Sequence, residues 1–161
     1  MMRRWIWLVV AAIWVVIDQY SKYLAVVELK DKQRIIDVLP LLRWAYAENH
    51  GAAFSLLSGH KWLFLIIGMV AVIVLLILIL KAQEPAFGLN FGYASILGGA
   101  IGNLYDRATL GYVRDMISVY YTPIDFYFAI FNIADMAISI GVGAIISYQL
   151  WVAIRRRNDR Q

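Results

Sequence analysis

Phe131-Asn132-Ile133-Ala134-Asp135 opens the last long apolar run of the chain, which continues to Ile154. A run of about 20 apolar residues can cross a bilayer as a helix. This one carries an aspartate at its fifth position, with Asn132 one turn earlier on the same face. A carboxylate in that setting costs roughly 2.5–3.5 kcal/mol on insertion scales, so it needs a partner or a function. The nearest candidate partner is Asp115, in the segment ahead of the run. Two aspartates converging at a membrane surface point to acid–base chemistry on a peptide bond.

Working outward, the composition puts the whole chain in a membrane. Of its 161 residues 62% are hydrophobic, against roughly 45–50% in soluble domains. The length suits a single domain, 1–161. The net charge of +4 is concentrated at the ends, in Arg3 and Arg4 and in Arg155, Arg156, Arg157 and Arg160. Short basic arms beside apolar runs read as cytoplasmic anchors on anionic lipid rather than as nucleic-acid sites. The absence of cysteine excludes disulfides, thiol nucleophiles and cysteine-rich metal sites. His50 and His60 lie ten residues apart with no His-Glu-x-x-His pattern, which argues against a zinc protease.

Four spans are expected. Trp5–Val27 follows two arginines but no small-residue cleavage site follows it, so it reads as a retained first span. Within it Asp18 and Lys22 are four apart and share a face. Spacing alone favours an ion pair near the helix end, with Lys22 snorkelling to the interface, over a direct catalytic role. Trp62–Leu80 is an uncharged apolar run and makes the second span. A short turn, 81–85, leads to a third span, Ala86–Leu104. Its glycines at 88, 92, 98, 99 and 102 form two small-xxx-small patterns, which let helices pack closely in lipid. Asn103 and Arg107 stand one turn apart at its end. The fourth span is 131–154.

The outer segments, 28–61 and 105–130, carry strand-like pieces. Leu42, Trp44 and Tyr46 alternate with Arg43, Ala45 and Ala47, the pattern of a half-buried strand. Pro40 separates them from a second candidate strand, Arg34–Val38. Glu48-Asn49-His50-Gly51-Ala52-Ala53-Phe54 reads as a tight turn, with His50 at the surface. Val113, Asp115 and Ile117 would share one strand face, where an acid is out of place unless it meets a polar cleft. Tyr120, Tyr121, Phe126, Tyr127 and Phe128 suit an aromatic belt, and Asp125 a turn after Pro123. The arginine density of the terminal arms places both termini inside and both aspartates near the outer face.

These motifs together resemble the bacterial lipoprotein signal peptidases, the signal peptidase II family of membrane aspartyl proteases. Five blocks carry the resemblance across nearly the whole chain: Asp18-x-x-Ser21-Lys22, Asn49-x-Gly51-Ala52-x-Phe54, Gly99-Ala100-x-Gly102-Asn103-x-x-Asp106-Arg107, Val113-x-Asp115 and Phe131-Asn132-x-Ala134-Asp135. The resemblance implies an integral membrane, mainly α fold: a four-transmembrane-helix bundle with a small extracytoplasmic β-cradle from residues 28–61 and a half-helix or lid near the site. It implies that Asp115 and Asp135 are the catalytic pair and that Asn49, Asn103, Arg107 and Asn132 orient the substrate or the pair. Asp18 and Lys22 match a block whose implied role is positioning or structural. Met116 departs from the aromatic that often follows the first aspartate. The implied substrate is a prolipoprotein whose signal peptide ends before a diacylglyceryl-modified cysteine, with membrane lipid as the other partner.

Two carboxylates a few ångströms apart do not both ionise easily, so such a pair shares a proton and activates water without metal or organic cofactor. Asn132 and Asn103 are placed to hold Asp135, and Gly99 and Gly102 to line a laterally open groove for lipid. Two other classes compete with this reading: an ion-coupled transporter with Asp135 as its proton or cation site, and a non-catalytic assembly subunit whose charges form structural pairs.

Overall fold

The computed structural model describes residues 2–51, 60–81, 86–124 and 126–159. Four long helices and four short strands follow one another: α1 (Met2–Ala25), β1 (Ile36–Leu39), β2 (Leu42–Asn49), α2 (Lys61–Lys81), α3 (Phe87–Thr109), β3 (Val113–Tyr121), β4 (Phe126–Tyr127) and α4 (Ile133–Asn158). A π turn, Val26–Lys30, continues α1, and a 3-10 turn, Thr122–Ile124, joins β3 to β4. Three helical stretches, Arg4–Lys30, Lys61–Lys81 and Ile133–Asn158, are long and apolar enough to cross a membrane. Large apolar side chains such as Trp5, Val16, Ile66 and Leu150 stand exposed on them, as a lipid solvent allows. The third expected span differs. Glycines and the polar residues Asn90, Asn103, Asp106 and Arg107 make α3 less apolar, and it runs a turn beyond the expected end at Leu104.

The helix least suited to lipid is the one most enclosed by protein. α1, α2 and α4 all pack on α3. Its glycines allow this. A methyl group on Gly98 would sit 2.6 Å from the Ala11 carbonyl of α1, and one on Gly92 would sit 2.7 Å from the Gly141 carbonyl of α4. Backbones therefore meet directly, the use that small residues have in membrane packing. Trp7, Ala11, Leu75, Ile79, Ala94 and Leu97 form a core where α1, α2 and α3 meet.

At the other end lies an antiparallel sheet of order β1-β2-β3-β4. Residues 28–61, expected to form the cradle, supply β1 and β2, and the second outer segment adds β3 and β4. Ala25, Leu29 and Met116 are buried together beneath it, with Ile36, Trp44, Tyr46 and Ile117 against them. Met116 thus packs the sheet onto the end of α1. Tyr121, Phe126, Tyr127 and Phe128 are exposed, in keeping with an aromatic belt. Among the described residues of the outer segments no half-helix or lid appears. Ala52, Ala53 and Phe54 of the second block, residues 82–85 of the short turn, and Asp125 lie outside the described residues.

Candidate active site

The last helix starts two residues later than its apolar run. Asn132 is extended (φ −131°, ψ −179°) and caps α4, so Asp135 falls in the first turn of the helix. The Asn132 side-chain oxygen accepts from the Asp135 N–H at 2.9 Å, and Asp135 Oδ2 accepts from the Asn132 N–H at 3.2 Å. This reciprocal capping box satisfies two orphan N–H groups and fixes the Asp135 backbone and side chain together. The helix N-terminus also favours negative charge there.

Asp115 reaches the same place from the sheet. Ala47 pairs with Asp115 and Asn49 with Val113, so Asn49 and Asp115 are diagonal neighbours on one face. Asn49 Nδ2 donates to Asp115 Oδ2 at 3.0 Å, and Asn132 Nδ2 donates to Asp115 Oδ1 at 2.6 Å. The segment between β4 and α4 ties strand to helix: the Phe131 carbonyl accepts from Met116 and Ile117, and the Phe131 N–H donates to Ile117. Asp115 is only 2% exposed. Burial, and then the charge of Asp135, push its carboxyl up to about 6, against the opposing pull of the Asn49 and Asn132 amides and the Lys22 charge.

Each amide has its orientation fixed by a second contact. Asn49 Oδ1 accepts from the Gly51 N–H at 3.0 Å, which leaves its NH2 for Asp115. Asn103 Oδ1 accepts from Lys22 Nζ at 3.0 Å and from Asn132 Nδ2 at 3.1 Å. Its NH2 is therefore turned to Asp135 Oδ1, at 2.8 Å. Asn132 was expected to hold the Asp135 carboxylate; its backbone does so, while its side-chain amide holds Asp115.

Behind the amides lies a cluster of charges. Lys22 and Asp18 pair at 2.8 Å, as their spacing suggested, but both side chains are 0% exposed. Lys22 does not snorkel. It turns inward because Asp18, Asp106 and Asn103 offer three acceptors for its three N–H groups, at 2.8, 3.3 and 3.0 Å. Asp18 Oδ1 in turn accepts from the Ala134 N–H at 2.9 Å, a further cap on the start of α4. Arg114 pairs with Asp106 at 2.6 Å and donates to Gln19 at 2.8 Å. Asp106 and Arg114 had no role assigned from sequence. The signal for Asp106 was there, since it stands one turn after Asn103 on the same face of α3.

In front of the amides, a groove of about 780 Å³ is lined by Phe64 of α2, by Asn103 and Arg107 of α3, by residues 128–131 and by Asp135, Met136, Ile138, Ser139 and Ile140 of α4. Arg107 donates to the Gly51 carbonyl at 2.9 Å and lies 5.0 Å from the centre of the Phe64 ring. Its positive charge is near enough to act on Asp115, Asp135 and Asp106. Gly99 and Gly102 do not line this groove. A side chain on Gly99 would strike the Ala134 carbonyl, and one on Gly102 the Asp18 carboxylate. Their smallness serves the approach of α3 to α4 and α1.

A family model described as signal peptidase (SPase) II matches residues 10–151. The chain is 40% identical over 147 residues to the lipoprotein signal peptidase of Haemophilus ducreyi, covering 89% of this chain and 88% of that protein. The identity is also 40% to those of Photorhabdus laumondii and Salmonella typhi, covering 89% of this chain in each case and 85% and 86% of those proteins. Among solved structures, a bacterial membrane enzyme determined by the in meso method at 2.3 Å resolution superposes with a TM-score of 0.79 at 31% identity, covering 89% of this chain and 87% of that one. A second, at 1.9 Å resolution, gives 0.76 at 31% identity, with 89% and 92% covered. With sequence and fold agreeing over nearly its full length, the chain belongs to the signal peptidase II family.

Proposed function

We propose that this chain is a membrane aspartyl endopeptidase that removes signal peptides from bacterial prolipoproteins, cutting just before the diacylglyceryl-modified cysteine. The observation that carries this reading is the bracket formed by Asn132, which bonds both aspartates: Asp135 through its backbone, Asp115 through its side chain. Three cations, Lys22, Arg107 and Arg114, accompany four carboxylates, Asp18, Asp106, Asp115 and Asp135. One proton on the Asp115–Asp135 pair brings the cluster to neutrality, the condition under which buried charge is least costly.

A pair in that state holds both a base and an acid. The ionised member takes a proton from water, whose oxygen attacks the scissile carbonyl carbon. The protonated member donates to the carbonyl oxygen, and a proton is then delivered to the departing amine. The shared proton belongs to the pair, so the base role attaches to neither residue alone. Asn49, Asn103 and Asn132 keep the carboxylates in place, while Arg107 favours the negative charge that develops at the carbonyl oxygen.

Substrate access follows from the groove's place beside α2, α3 and α4. A signal peptide is an apolar segment already in the membrane, and Phe64, Phe128, Ile130, Met136 and Ile140 offer it, or the lipid on the next residue, an apolar wall next to Asp135. α3 crosses the bilayer as the third of four spans, its polar face turned to protein. The arginines of the two terminal arms hold both termini on the cytoplasmic side of the bacterial inner membrane, with the aspartates near the outer face. The test is the mass of the product. Incubation of the purified protein with a lipid-modified prolipoprotein in micelles should release a peptide ending just before the modified cysteine. A cut elsewhere, or equal cutting of the unmodified precursor, would remove this substrate assignment.

A further inference from the structure

Lys22 touches neither aspartate, yet it is joined to both. Its ammonium donates to Asn103 Oδ1 at 3.0 Å, and the NH2 of that same amide donates to Asp135 at 2.8 Å. A flipped Asn103 would set its NH2 against an ammonium and against the Asn132 NH2, so Lys22 helps to decide which end of Asn103 faces Asp135. The Asn132 amide, shared between Asn103 and Asp115, continues the chain to the second carboxylate. Lys22 is fully buried and its charge acts on Asp115 to favour ionisation.

The charged groups around the aspartates come from each packed element. α1 brings Asp18 and Lys22, α3 brings Asp106 and Arg107, and β3 brings Arg114. β2 carries Glu48, exposed and paired with Lys30 at 2.8 Å, and Lys61 begins α2 beside Gly111. Of these, Lys22 alone is both fully buried and bonded to the amide that contacts Asp135.

We propose that Lys22 is a positioning residue for peptide hydrolysis, orienting Asn103 toward Asp135 and, with Asp18 and Arg114, setting the pH range over which the aspartate pair keeps its shared proton. This rests on Asp115 and Asp135 being the catalytic pair. A purely structural lysine would cap and neutralise Asp18, and its loss would lower stability without moving a pH profile.

Lys22→Met, Asp18→Asn and Arg114→Gln enzymes, purified in micelles, would be assayed for cleavage of a lipid-modified prolipoprotein from acid to alkaline pH. Losing a cation makes the shared proton harder to remove. In Lys22→Met the alkaline fall in activity should move up by about one pH unit, and kcat should drop about tenfold or more with KM little changed. Arg114→Gln should move the fall in the same direction by less, and Asp18→Asn should move it down. The opposite signs exclude a general loosening of the fold. If Lys22→Met does not fold, the opposed shifts of the other two decide the matter. A fall superimposable on wild type in any folded variant, or the same direction in all of them, overturns the proposal. Asp115→Asn and Asp135→Asn run alongside separate the two readings. Cleavage persisting in those defeats the catalytic pair, whereas its loss there with unmoved profiles elsewhere defeats only the role of Lys22.

Discussion

Asn132 caps α4 with its side-chain oxygen, binds Asp115 with its side-chain nitrogen and supports Asp135 with its backbone N–H. Its position before Asp135 was legible, because an Asn three residues ahead of an acid at the head of an apolar run is a helix-start pattern. Which oxygen and nitrogen served which aspartate was not, since that depends on Asn103 and Lys22 arriving from two other helices. Asp115 carries the clearest thermodynamic consequence. Its carboxyl is raised from an ordinary 3.8 to about 6. Below the lower value both folded and unfolded chains are protonated there, and the group adds no pH dependence. As pH rises, the unfolded chain releases its proton first, so stability declines between the two values and levels off above the higher one. The loss is at most about 3 kcal/mol. Asp115→Asn lacks this titration. Its thermal midpoint relative to wild type should therefore climb from acid to neutral pH, whereas a constant offset would contradict the assignment.

At the scale of elements, α3 decides the architecture. The two small-xxx-small patterns announced close packing, but a pattern on one helix does not say which helix fills it. The structure divides the glycines between partners: Gly92 and Gly99 take α4, Gly98 takes α1, and Gly102 gives room to the Asp18 carboxylate. The expected glycine-lined lipid groove fails for this reason. Gly99→Leu should separate α3 from α4 and lower the thermal midpoint in micelles, at an overpacking cost of about 1–3 kcal/mol or more. Gly143, with nothing within 4 Å of an added Cβ, should accept leucine with little change. Equal effects at the two positions would contradict this assignment of α3 packing. β1 and β2 were legible from alternation to within about two residues at their ends, whereas β3 runs four residues past the Val113–Ile117 pattern and β4, only two residues long, has no alternation to read. The union of β2 with β3 was not, because register across some 60 residues of intervening chain leaves no local mark.

The whole molecule places a small polar interior at one end of an apolar bundle. Lys22, Asp18, Asp106 and Arg114 are enclosed behind the asparagines, and the groove opens in front of them. Composition predicted the membrane, and the charged blocks predicted a site near the start of the last helix. The inward turn of Lys22 was hidden because spacing on α1 alone offers snorkelling as the default, and only Asn103 and Asp106 make burial affordable. The central claim is that Asp115 and Asp135 together activate water. It is met most directly by cleavage of a lipid-modified prolipoprotein by wild type, Asp115→Asn and Asp135→Asn enzymes, each checked for its fold in micelles. Cleavage by wild type and its loss in both folded variants, by about a thousandfold or more, is the predicted result; cleavage retained by either variant would contradict the two-aspartate mechanism.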